Sequence, residues 1–208
     1  MKRLILIIFI FLATVGIFPA ATAAAADPVG CTGEYSIGVG GLQLGIPGGS
    51  WENSAYIVAD NHIGYDSLNP LQGLRNLEIA YDLHRDMCPS DRIKLVGHSE
   101  GAALVHVWVT EHQDATNVSA VLLADPKRVA GPGGAGLAAN PLGALIGYPL
   151  AGVDDDFGSV PVLSVCHQLD AVCNEHPAGW VGYVAGAHTS YNTIADDYRF
   201  GVSGVWFF

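Results

Sequence analysis

The segment Gly97-His98-Ser99-Glu100-Gly101 limits what this chain can fold into more than any other. It lies between a branched apolar run, Ile93-Lys94-Leu95-Val96, and a small-residue run that opens with Ala102-Ala103. That context predicts a strand, a sharp turn and a helix, with the serine on the turn. A side chain at such a turn needs backbone angles that crowd its neighbours, and glycine two before and two after relieves the crowding. The turn lifts the hydroxyl above the strand ends. It also sets the serine at a helix N-terminus, where N–H groups and the helix dipole favour developing negative charge. Serine is a favoured helix cap in its own right. The flanking strand and glycines favour a nucleophile over a cap, with the Glu100 N–H as one donor to an oxyanion.

Around this turn, strand-like and helix-like segments alternate, the pattern of a parallel sheet wrapped by helices. Glu34 to Val39, Arg92 to Val96, Ser119 to Ala124 and Val160 to Val165 read as strands, and Ala55 to Ala59 is a further apolar run. Leu71 to Met87 and Ser99 to His112 read as helices. In the first of them Leu74, Leu77, Tyr81, Leu83 and Met87 follow helical spacing, and Pro89 ends it. Between Arg128 and Gly158 glycine, alanine and proline dominate. That stretch reads as a long surface loop or as a wall beside a pocket, and its Asp154-Asp155-Asp156 as a solvated acidic run. The apolar part from Gly143 to Leu150 suits either an acyl pocket or the core. The ending Gly204-Val205-Trp206-Phe207-Phe208 reads as core packing.

The chain starts with a basic Met1-Lys2-Arg3, an apolar run from Leu4 to Phe18, Pro19, and small residues up to Ala24-Ala25-Ala26. This is the pattern of a secretory signal over residues 1–26, cut before Asp27. The run is shorter than the roughly 20 residues a membrane-spanning helix needs. Residues 27–208 are then expected to form a single domain. The net charge is −11, and losing Lys2 and Arg3 makes the remainder more acidic still. Such a surface repels nucleic acid phosphates and anionic headgroups, so no nucleic acid partner is expected. The even set Cys31, Cys88, Cys166 and Cys173 suits disulfides in an exported protein, with three pairings open. No C-x-x-C occurs. His167 and His176 beside the last two cysteines are a weak metal signal, and neither a metal nor a cofactor is expected.

A serine hydroxyl needs a base, and the base needs an orienting carboxylate. Behind this kind of turn the usual chain order is serine, acid, histidine. His106 and His112 fall in the helix after the turn, where they project along it or away from the active face. His167 and His176 flank the second cysteine pair. His188, in Gly186-Ala187-His188-Thr189-Ser190-Tyr191, has the loop setting a base needs. Asp170, between Cys166 and Cys173, is the leading acid, because a bridge there would hold the carboxylate rigidly. Asp125, in Leu123-Ala124-Asp125-Pro126, is its rival, with a turn-forming role as the alternative.

Three segments together resemble the cutinases and their actinobacterial relatives, including the esterase domain called PE-PPE. They are Cys88-Pro89 with Ser99 eleven residues after the cysteine, Cys166-x-x-x-Asp170-x-x-Cys173, and His188-x-x-Tyr191. The resemblance implies a three-layer α/β-hydrolase-type fold with a central, mostly parallel sheet flanked by helices. It implies Cys31–Cys88 and Cys166–Cys173 bridges and a Ser99, Asp170, His188 triad. It makes Ala124-Asp125-Pro126-Lys127-Arg128 structural. The activity implied is hydrolysis of carboxylic esters, of lipid or polyester type with short to medium acyl chains, by a secreted, monomeric serine esterase with cell-envelope lipid as a candidate contact. Glu100 stands where cutinases commonly carry glutamine, and its carboxylate would have to point away from an oxyanion. The Gly40-Gly41-Leu42-Gln43 loop must supply the second oxyanion donor, with Leu42 and Gln43 as the candidates.

Overall fold

A computed structural model describes residues 30–43, 57–141, 150–191 and 200–208. The signal segment 1–26, the start of the Ala55–Ala59 run and nearly all of Gly143–Leu150 lie outside these residues. Six strands form one sheet: β1 Glu34–Val39, β2 Asn61–Ile63, β3 Arg92–His98, β4 Val118–Leu123, β5 Val162–Cys166 and β6 Gly204–Phe207. Their order is β2-β1-β3-β4-β5-β6, and every neighbouring pair is parallel. The order reverses at β1: β2 lies on one side and β3 on the other. A crevice therefore opens beyond the carboxyl ends of β1 and β3, the place where parallel α/β sheets bind ligands.

Strand periodicity sends alternate side chains to opposite faces. Ile37, Val39, Ile93 and Leu95 join one apolar cluster, while Val96, Val121, Leu123 and Val165 join another across the sheet. The first cluster is covered by α1 (Pro70–Met87) and α2 (Glu100–Glu111). Helix α1 begins with Asn69 accepting the Gln72 N–H and Pro70 in its first turn, a capping arrangement that needs no tertiary help. It buries Gly73, Leu77 and His84. Leu83 and Met87, expected on its apolar face, are more than half exposed. Helix α2 is buried from Gly101 through Val109 and is the central helix. Among the described residues, the opposite face is covered by Ile57, Ala59, Tyr191, Cys173, Phe207 and Phe208.

Strand β2, Asn61–Ile63, lies just beyond the Ala55–Ala59 apolar run. The aromatic ending forms an edge strand, and the core reading is corrected only in part: Phe207 and Phe208 pack against the second cluster, whereas Val205 and Trp206 are about half exposed, and β6 pairs with β5 from Leu163–Gly204 to Cys166–Phe207.

Candidate active site

The serine turn is built by close packing. Ser99 has φ 57° and ψ −123°, a left-handed conformation for a non-glycine residue. Such a residue carries about 1–3 kcal/mol of strain. Its N–H donates to the Leu123 carbonyl (2.9 Å), which fastens the turn to the end of β4. A Cβ on Gly97 would lie 2.4 Å from the Gly101 carbonyl oxygen, and one on Gly101 would lie 2.1 Å from that of Val39. Both glycines are thus demanded by backbone approaching backbone. The Ser99 side chain makes no helix-capping bond. Its Oγ lies 3.0 Å from Nε2 of His188.

His188 sits in a single 3₁₀ turn, Ala187–Thr189, entered through Gly186 at φ 96°. Its Nδ1 is 2.9 and 3.1 Å from the two Asp170 oxygens. With Nδ1–H given to the carboxylate, Nε2 is left as an acceptor facing the serine hydroxyl. Asp170 is fully buried in the loop closed by the Cys166–Cys173 bridge. Burial alone would raise its pKa. The His188 bond and charge, the Val172 N–H (3.0 Å) and the Tyr191 hydroxyl (2.8 Å) outweigh this and hold the carboxyl below its ordinary value. The second bridge joins Cys31 to Cys88, tying the start of β1 to the end of α1.

His98, the residue before the serine, is a part that sequence reasoning missed. It is buried, and its Nε2–H donates to the His188 carbonyl (2.8 Å) while the two rings lie 4.6 Å apart. Burial and the neighbouring His188 push its pKa down to about 3, so it is a neutral strut. Tyr191 was legible only as part of a motif, without a role. A cavity of about 350 Å³ opens on the serine, lined by Leu42, Pro126, Leu137, Leu150, Val172 and Tyr183 among others. Leu137 and Leu150 come from the glycine-rich stretch, which in its described parts is a pocket wall.

Glu100 also lines this cavity. Burial pushes its carboxyl up to about 7, against the Tyr65 and Ser67 hydroxyls, and Asp66 adds to the rise. Its Oε2 finds no hydrogen-bond partner among the described residues. Of the two amides considered for the second oxyanion donor, that of Gln43 already donates to Ser67 Oγ (2.9 Å). Leu42 lies at the cavity wall.

Asp125, the rival acid, is elsewhere. Its Oδ2 accepts from Nδ1 of His106 (2.8 Å) and its Oδ1 from the Lys127 N–H (2.9 Å). The other nitrogen of His106 meets Asp154 Oδ1 at 2.8 Å, and Lys127 Nζ lies 3.3 Å from the same carboxylate. Asp154 is therefore an ion-pair partner, and the solvated reading of its acidic run is corrected at that position. Burial opposes charge on His106, but the two carboxylates prevail and its pKa rises to about 9. A polar ring in the otherwise apolar Ala102–Val109 stretch was the available signal, since a buried imidazole needs partners. Arg128 donates to the carbonyls of Cys173 and Gly134, fixing the wall segment to the Asp170 loop.

The sequence model of the cutinase family matches residues 58–199, more than half of the chain. The chain belongs to the cutinase family. It is a carboxylic ester hydrolase. An acetylxylan esterase structure aligns with a TM-score of 0.53 at 18% identity, over 79% of this chain and 95% of that one, and shares the fold. A cutinase-like protein from Cryptococcus sp. aligns at 0.47 and 18% identity, over 86% of this chain and all of that chain. The catalytic core domain of acetyl xylan esterase from Trichoderma reesei gives 0.49 and 18%, over 79% and 96%. No curated protein matches the sequence.

Proposed function

We propose that this protein is a secreted serine esterase in which residues 27–208 form one catalytic domain, residues 1–26 direct export, and Ser99, His188 and Asp170 carry the chemistry. The observation that supports the reading most is His188 placed between the Ser99 hydroxyl and the Asp170 carboxylate, at hydrogen-bond distance from both. His188 takes the serine proton as Oγ attacks the ester carbonyl. Asp170 holds the imidazole tautomer and stabilises the imidazolium. The oxyanion is met by the Glu100 N–H and, on the β1 side, the Leu42 N–H. His188 then protonates the leaving alcohol, and water reverses the sequence to free the acid. Losing one oxyanion donor typically costs about 3 kcal/mol in such sites.

The mainly apolar walls and a volume near the lower end of the roughly 300–1,000 Å³ usual for small-ligand sites favour short to medium acyl chains, as in lipid or polyester esters. The protein acts as a monomer. The test is hydrolysis of p-nitrophenyl esters from acetate to palmitate, with Ser99→Ala beside the wild type. Turnover that peaks at short or medium chains and disappears in Ser99→Ala is expected. Equal inactivity of two folded proteins would replace the esterase reading with that of a hydrolase fold kept for binding.

A further inference from the structure

We propose that Tyr191 is a positioning residue that orients Asp170 and moderates the basicity of His188 through it, an inference that rests on the triad reading above. The Tyr191 ring is fully buried and does not line the substrate cavity. Its oxygen accepts the His167 N–H (2.9 Å), the first backbone amide after β5. That bond fixes the phenol from behind and leaves its proton for Asp170 Oδ2, 2.8 Å away. The same Oδ2 receives His188 Nδ1–H at 2.9 Å. The result is a continuous chain from a strand-end amide through phenol and carboxylate to the imidazole and the Ser99 hydroxyl. Hydrogen bonds in such a chain polarise one another.

The two donors compete for one oxygen. Charge that Oδ2 gives to the phenol is not available to an imidazolium, so the phenol weakens His188 as a base while it stops the carboxylate from turning. Burial and the Asp170 charge raise the Tyr191 pKa far above its ordinary value, so it stays a proton donor across the working range. The other titratable groups around this assembly are His98, His167, Tyr183, Arg128 and Glu100. His98 is neutral, and Arg128 is charged throughout.

The decisive measurement is the pH dependence of kcat/KM on p-nitrophenyl butyrate. Tyr191→Phe keeps the ring and removes the donor. It should move the acidic limb upward by about half a unit to one unit and lower kcat several-fold, with KM little changed. Replacing Tyr191 by 3-fluorotyrosine makes a stronger donor with the fold intact, and should move the limb the opposite way. Limbs that stay in place in both variants, or a loss confined to thermal stability, would overturn the proposal. Ser99→Ala run alongside separates this failure from failure of the triad: activity surviving in Ser99→Ala removes the triad itself.

Discussion

Two buried histidine arrays branch from the same sheet, and their chemistry differs because of one atom. In both, a carboxylate that follows a strand binds the Nδ1 side of an imidazole: Asp170 after β5 for His188, and Asp125 after β4 for His106. At His188 the second nitrogen meets a serine hydroxyl in a cavity. At His106 it meets a second carboxylate, that of Asp154. On the proposed mechanism the first ring passes the serine proton to the leaving group. The second is held as an imidazolium between two anions and serves as a clamp, joining α2 and the end of β4 to the segment that carries Leu150. A histidine–aspartate pair is therefore a poor mark of catalysis until the partner of its other nitrogen is known.

Three substitutions can break the contrast. Ser99→Ala should remove about a million-fold of kcat and leave Tm unreduced, by ester assay and calorimetry on the same sample. Asp170→Asn should reverse the tautomer of His188 and lower kcat by about 10⁴. The matching change at the other array, His106→Gln, should act on the fold instead. It strands Asp125 in the interior, which costs about 3–5 kcal/mol, or roughly 10 °C of Tm or more in a chain of this size. Ester turnover per folded molecule should remain on the wild-type scale. If His106→Gln silenced turnover and kept Tm, the two arrays would not be the different devices described here.

The remaining predictions concern pH. His106 has a folded-state pKa of about 9, above the ordinary 6.5. Its contribution to stability is therefore complete below about pH 6.5 and lost as pH rises through 9. Tm should fall over that interval, and less so in His106→Gln. Glu100 shows the reverse sign of benefit. Its folded pKa of about 7, against an ordinary 4.5, means that its charged form is disfavoured by folding. The penalty is absent below about pH 4.5 and grows to its full size near 7. Glu100→Gln should gain a few degrees of Tm at pH 8 and little at pH 4. This is the smallest effect of the set.

What the sequence revealed and what it hid follow from the range of the interactions. The Ser99 turn was legible because its demands are local: glycines at fixed offsets, a strand before and a small-residue helix after. The chain order of Ser99, Asp170 and His188 was legible for a similar reason, since each lies in a short segment with its own signature. Strand β6 was not. It has four residues, three of them exposed, and becomes a strand only by pairing with β5 some forty positions earlier. Asp154 was misread because a charge carries no periodicity, and its partner His106 lies 48 positions away. That the Gln43 amide is taken by Ser67, on a different loop, carries no local sequence signal. Tyr191 stood in a recognised motif, yet its role depends on His167 and Asp170 converging from another segment.

The Cys166–Cys173 bridge closes the loop that holds Asp170. On the proposed chemistry its consequence is one of timing. A newly made chain in a thiol-rich compartment has its nucleophile and base in place, but its acid on an open tether. Ester turnover is then expected to fall when the bridge is reduced, even where the sheet stays folded.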